Sequence, residues 1–162
     1  MSRTLQFLTG LVAIGPTPML AQGSFAPTLG VSVGIHSSDH SHLIYAIHLT
    51  VPVAATWDIT PWFRGSAASK QEWRASLALR HAFPLSPTAR AYAGAGGSWT
   101  HEPSEVLAHG HWGAVGLVGL AFVPGGHIWE QGRLQVFSEM QVFTHHYATA
   151  QWLVGLKLRL GS

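Results

Sequence analysis

The stretch QWLVGLKLRL, Gln151 to Leu160, decides how the rest of the chain is read. Successive side chains of a β-strand point to opposite faces, so Trp152, Val154, Leu156, Leu158 and Leu160 share one side of an extended segment. Gln151, Gly155, Lys157 and Arg159 share the other. One face is hydrocarbon and the other cationic. A closed sheet built from such strands turns one face to lipid and keeps the other for a polar interior.

Upstream, the same period of two recurs between clusters of Pro, Gly, Ser, His and Asp, which is the signature of strands and turns. Leu29, Val31, Val33 and Ile35 line one face of the first segment, and Leu43, Tyr45, Ile47, Leu49 and Val51 one face of the second, after the polar link 37–41. Trp57, Ile59 and Phe63 oppose Asp58, Thr60, Trp62 and Arg64 in the third. The fourth sets Trp73, Ala75, Leu77, Leu79 and Phe83 against Glu72, Arg74, Ser76 and Arg80. In the fifth, 88–100, Ala89, Ala91, Ala93, Ala95 and Trp99 oppose Arg90, Tyr92, Gly94, Gly96 and Ser98. The sixth, about 111–123, is apolar on both faces and leaves its parity open. The seventh puts Leu134, Val136, Met140 and Val142 against Arg133, Gln135, Glu139 and Gln141. The quoted stretch is the eighth. Segments of roughly 9–13 residues suit a tilted transmembrane strand, which needs about 9–11.

Charge placement separates this pattern from chance. Of the nine Lys and Arg, Arg3 precedes the strands and Lys70 lies in a link; Arg64, Arg74, Arg80, Arg90, Arg133, Lys157 and Arg159 all take the less apolar parity. So do Asp58, Glu72 and Glu139. A cation on the hydrocarbon face at bilayer depth costs about 2–4 kcal/mol, so a membrane barrel requires this segregation.

Composition points the same way. Charged residues make up 10% of the 162, against roughly 25–35% on a water-facing surface. Hydrophobic content is 47% and mean hydropathy +0.20, yet no apolar run reaches the ~18–20 residues of a membrane helix. With no cysteine there is neither a disulfide framework nor a thiolate site. The formal charge of +2 is carried by scattered residues, which gives no footprint for nucleic acid. Alternation alone also fits a soluble barrel with its apolar face inside. The tryptophans favour the membrane: Trp73, Trp99, Trp112 and Trp152 fall near one end of their strands and Trp57 and Trp129 near the other, as two interfacial belts do.

Residues 1–23 read as a secretory signal peptide: Arg3, an apolar stretch from Leu5 to Ile14, then Gly15, Pro16 and Pro18 before a cleavage site after Ala21 or Gly23. The expected organisation is a signal peptide over 1–23 and a barrel over 24–162. With eight alternating segments and a terminal strand carrying Gly155, Leu158 and Leu160, the chain resembles the small eight-stranded outer-membrane barrels of Gram-negative bacteria, of the OmpA and OmpX type. Many of these end on an aromatic residue, where this chain has Leu160-Gly161-Ser162. The resemblance implies an all-β, closed, antiparallel up-and-down transmembrane barrel in the outer membrane. It implies contact with outer-membrane lipid and lipopolysaccharide, delivery by the assembly machinery, and a monomer. It assigns no task, because the family holds adhesins, lipid enzymes, structural and porin-like barrels.

Several positions carry sharper expectations. Pro61, inside the third segment, calls for a bulge or a shifted boundary. Gly94, Gly96 and Gly97 leave room for long side chains inside. Seven inward cations against three inward acids read as a plug, an anion-selective leak being the alternative. His145-His146-Tyr147-Ala148 resembles the His-x-Ser stretch of barrel lipid A deacylases, but Ala148 stands where the nucleophile belongs, and no acid follows Glu139. The expectation is therefore a non-enzymatic structural or surface-binding protein; the competing classes are a lipid-modifying hydrolase and a soluble periplasmic ligand-binding barrel. Eight of eleven histidines gather at one rim. His40, His42, His109, His111, His145 and His146 are the candidate ligands for Zn or another divalent metal, and no other cofactor is expected, since His-x-His presents two imidazoles on one side of an extended segment.

Overall fold

A computed structural model describes residues 26–37, 41–67, 72–102, 109–125, 133–144 and 148–161. They form eight strands: β1 (Thr28–Ser37), β2 (His42–Pro52), β3 (Trp57–Ser66), β4 (Trp73–Ser86), β5 (Ala89–Glu102), β6 (His109–Phe122), β7 (Leu134–Thr144) and β8 (Ala148–Arg159). Each pairs antiparallel with its sequence neighbours, and β8 pairs with β1 from Arg159 opposite Thr28 to Ala150 opposite Ser37, which closes the barrel. The signal segment 1–23 lies outside the described residues.

The alternation read from sequence sets the two faces of the wall. Leu29, Val31, Val33 and Ile35 point out, as do Leu77, Leu79, Val154, Leu156 and Leu158. Arg64, Arg74, Arg80, Glu139, Gln141, Gln151 and Lys157 are buried inside. β6, whose parity periodicity left open, turns Val115, Leu117 and Ala121 inward and Trp112, Val118, Leu120 and Phe122 outward. Its inward apolar residues complete a core with Ile44, Trp62, Tyr92, Phe137, Phe143 and Leu153.

Pro61 does not cause a bulge. The β2–β3 register runs from Ile44 opposite Ser66 to Pro52 opposite Asp58 without a shift, and pairing simply lapses where Leu49 and Thr50 face Pro61 and Thr60. The proline keeps its place beside Leu77 of β4. The missing N–H is thus absorbed by one gap in one ladder. The irregularity of the wall lies elsewhere, between Pro84 and Ser86, where the β4–β5 register shifts just before the two-residue turn 87–88.

Closing eight strands requires tight curvature, and glycines supply it. The carbonyl of Leu77 packs onto the Cα of Gly96, where a Cβ has no place. Gly94 lies under the Leu79 carbonyl and the stem of Arg80, so that glycine does make room for a long side chain, whereas Gly97 meets only the Gly113 carbonyl, at 4.0 Å. Elsewhere a ring covers a glycine of the next strand: Tyr45 over Gly65 and Trp99 over Gly110 on the outside, His48 over Gly30 and Tyr92 over Gly119 inside, while Gly155 takes the Val31 carbonyl and the edge of Phe137. Each ring recovers packing that a strand glycine forfeits. Gly96→Ala is expected to destabilise the barrel by about 1–3 kcal/mol through overpacking against backbone that cannot rotate away. Gly116→Ala, where nothing lies within 4 Å, is expected to be neutral. Urea unfolding midpoints of the two variants, refolded in detergent, test the contrast.

Candidate functional site

The interior is one connected polar chain. At the end of the barrel bearing the β1–β2, β3–β4, β5–β6 and β7–β8 links, Glu72 accepts a hydrogen bond from Arg64 and lies 3.6 Å from Arg74. Arg74 donates to Thr100 Oγ1 at 2.7 Å and stacks 4.1 Å over the ring of Phe143. Arg64 also donates to Gln151 Oε1 at 2.5 Å and faces His36 Nδ1 at 3.3 Å. Gln151 donates to Gln141, and Gln141 to Glu139. The second oxygen of Glu139 stands 3.6 Å from Arg80, whose Nε donates to Asp58 at 2.6 Å and whose Nη2 donates to Thr50 at 3.1 Å. Thr60 donates to the same Asp58 oxygen at 3.0 Å. Seven of the eight strands contribute, and β6 supplies the apolar wall against which the chain packs.

The balance of charge differs from the sequence count. Arg133 is exposed just before β7, and Arg90 and Arg159 are half-buried near the same, terminal end. The fully buried charges are Arg64, Arg74, Arg80, Lys157 and Glu139, with Asp58 and Glu72 partly buried beside them and the two acids Glu72 and Glu139 shared between strands. Lys157 sits over rings, 5.0 Å from the centroid of Tyr92 and 4.8 Å from that of Phe137. Buried charges remain charged only when paired or otherwise compensated. Here the compensation comes from across the barrel.

On the outer face no Lys, Arg, Asp or Glu points outward from any described strand residue. Its polar groups are few and accommodated: Ser138 accepts a hydrogen bond from Trp152 Nε1 at 2.8 Å. Aromatic rings mark both edges of the apolar zone. Phe63, Trp73 and Trp99 form a run at the link-bearing end, with His101 stacked among them, 5.2 Å from Trp73 and 5.9 Å from Trp99. At the other end Trp57, His81 and Phe83 are in contact, with centroids 4.7 and 4.5 Å apart. From Trp73 to Phe83 the chain advances ten steps of about 3.3 Å, which at a tilt near 40° spans about 25 Å, the height of a transmembrane barrel's apolar band. Trp129, read as part of the second belt, lies outside the described residues.

The rim histidines divide. His40, His145 and His146 lie outside the described residues, and His109 enters as the first residue of β6. His42 and His111 reach the same end but stand four strands apart in the ring, on opposite walls. The direct partner of His42 is His36, its opposite number in the β1–β2 pairing. The signal was available in the sequence, where these two histidines flank the polar link 37–41. Among the described residues no three of His, Cys, Asp and Glu gather in a metal-holding group.

This arrangement, polar and charged inside, apolar outside and girdled by aromatic rings, defines a closed eight-stranded antiparallel transmembrane β-barrel. No family model matches the sequence, and no curated protein matches it either. Solved structures do match the fold. The N-terminal β-barrel domain of Pseudomonas aeruginosa OprF is similar at TM-score 0.64 with 10% identity, over 82% of this chain and 97% of that one. Neisserial surface protein A is similar at 0.59 with 9% identity, over 83% and 96%. A designed transmembrane β-barrel is similar at 0.62 with 10% identity, over 84% and 96%. The likeness to natural and designed barrels alike is one of architecture.

Removing Arg80 strands two carboxylates in the interior. Arg80→Leu is expected to cost about 3–5 kcal/mol, the usual penalty for breaking a buried pair. The Asp58→Asn/Arg80→Leu double variant is expected to recover part of that loss. Chemical unfolding of wild type, both single variants and the double variant measures the coupling.

Proposed function

We propose that the chain is an integral protein of the bacterial outer membrane that acts as a structural or surface-binding barrel and catalyses no reaction. The observation that carries this reading is the absence of charge, among the described residues, from the outward strand positions, beside an interior closed by hydrogen-bonded side chains. A soluble barrel places its apolar face inside; here that face is outside. The link-bearing end carries spans of only three to six residues between strands, which favours a compact rim over long ligand-gripping loops. Ala148, where an acyl-transfer nucleophile would stand, supports a non-enzymatic role.

In this reading residues 1–23 direct export and the assembly machinery inserts the barrel as a monomer. Its wall contacts phospholipid and lipopolysaccharide, and its histidine-bearing rim faces outward from the cell. Zinc taken up at either rim pair, His40 with His42 or His109 with His111, extends the reading to metal binding at that surface, to be checked by calorimetry.

The test is location and heat-modifiable mobility. Wild type is expected in the outer-membrane fraction, migrating differently before and after boiling. Leu79→Arg and Leu156→Arg, each setting a cation in hydrocarbon at about 2–4 kcal/mol near the midplane, are expected to lower the folded fraction sharply. Recovery of wild type from the soluble periplasm with no mobility shift would sink the proposal.

A further inference from the structure

We propose that the terminal end of the wall seats one anionic phospholipid of the phosphatidylglycerol class, its phosphate at Arg133 and Arg159 and an acyl chain in a depression on the outer face of β5–β8. The inference rests on the membrane reading above and adds the lipid class, the leaflet and the seat. The first observation is the depression, which has a volume of about 510 Å³, within the roughly 300–1,000 Å³ of ligand clefts. Ala91 and Ala93 make its floor; β4 and β6 raise Phe83 and Leu120 around it, and β7 and β8 raise Met140 and Trp152. Its outward polar side chains, Ser138 and Trp152, are bonded to each other at 2.8 Å. A dry apolar recess in a wall that meets hydrocarbon takes a hydrocarbon chain.

The second observation is charge at the foot of the same strands. Leu134 and Leu158 oppose each other in the β7–β8 ladder and are exposed on the outer face. The next rung sets Arg133 beside Arg159, whose N–H donates to the Arg133 carbonyl at 2.8 Å. Two arginines therefore stand together where the apolar wall ends. Arg133, exposed in a bend ahead of β7, is not bound by the strand's alternation. Interior charge does not cancel them: Arg80 and Lys157 balance Asp58 and Glu139, which leaves Arg90, Arg133 and Arg159 at this end against Glu130, the one acid of the link 123–133. Like charges on one rung repel. A phosphate beside them removes the repulsion, and each guanidinium offers a fork of donors that fits its oxygens.

Depth joins the two observations. From Arg133 to Ser138 the chain advances five steps of about 3.3 Å, which at a tilt near 40° rise about 13 Å, close to one leaflet of a hydrocarbon core about 30 Å thick. A phosphate at the arginines thus puts its acyl chain at the level of the depression. That chain gains no hydrophobic energy by leaving lipid for the groove, so charge selects the lipid and the groove orients it. At the opposite end Arg64 and Arg74 are buried beside Glu72, which assigns the seat to the terminal leaflet, periplasmic in the reading above.

Spin-labelled lipids test the seat. The chain is refolded into phosphatidylcholine bilayers, and the motionally restricted fraction of phosphatidylglycerol labelled near its chain end is compared with that of phosphatidylcholine labelled alike. At low salt phosphatidylglycerol is expected to be favoured about five-fold or more, the effect of one cation beside an anionic surface. In about 1 M salt, where the Debye length shrinks to about 3 Å, the preference is expected to disappear. Arg133→Gln/Arg159→Gln is expected to remove it at low salt as well. Ala91→Phe, which fills the floor, is expected to lower the restricted fraction of phosphatidylglycerol about two-fold as the chain loses its contacts. Wild type that fails to insert, with no heat-modifiable shift, sinks the membrane reading and this inference with it. Wild type that inserts but holds both lipids equally, or a preference that survives the loss of both arginines, overturns this inference alone. So does an unchanged restricted fraction in Ala91→Phe, which leaves a phosphate seat with no place for a chain.

Discussion

Arg80 is gripped by Asp58 at 2.6 Å and faces Glu139 at 3.6 Å, so its one charge ties β4 to β3 and, across the barrel, to β7. The constraint behind that clasp governs the whole molecule. A charged side chain on the wall has two places to go, and one of them is hydrocarbon. The strand charges among the described side chains therefore turn inward, where water is scarce and a partner must come from another strand. The chain from Glu72 through Arg64, Gln151, Gln141 and Glu139 to Arg80 and Asp58 meets that requirement. Alternative registers are penalised strongly, because a one-residue slip would carry a whole set of charges to the lipid face.

The wall meets a different requirement, that of bending. Eight strands enclose an interior just wide enough for side chains, and the glycines stand where neighbouring backbone or a ring presses closest. Gly96 under the Leu77 carbonyl and Gly119 under the Tyr92 ring show the two ways this is done. In the first, backbone meets backbone. In the second, an aromatic face replaces the missing side chain. Both devices keep the wall sealed while it curves.

Location and task separate cleanly here. The outward residues and the aromatic edges are dictated by the solvent the wall meets, and a designed barrel shares the architecture as closely as natural ones do. Activity has to reside in the rims and the interior. The described rim brings His36 opposite His42, and the interior gathers its charges around Arg64, Arg74, Arg80 and Lys157.

The sequence by itself determined the number of strands, the parity of seven of them and the segregation of charge, because alternation is a local property legible in a few residues such as Leu156-Lys157-Leu158-Arg159. It also placed Trp73 and Trp99 at one edge and Trp57 at the other. Only the tertiary structure decided which face lay inside, since a period of two is unchanged when the faces are exchanged. It decided the parity of β6, where both faces are apolar and only fit against Tyr92 and the core distinguishes them. It moved Arg133 out of the interior and set His36 against His42. It joined Arg64 to Gln151, 87 residues apart. Such contacts are written in no local pattern; they exist because β8 closes onto β1, and closure converts eight separate alternations into one shared interior.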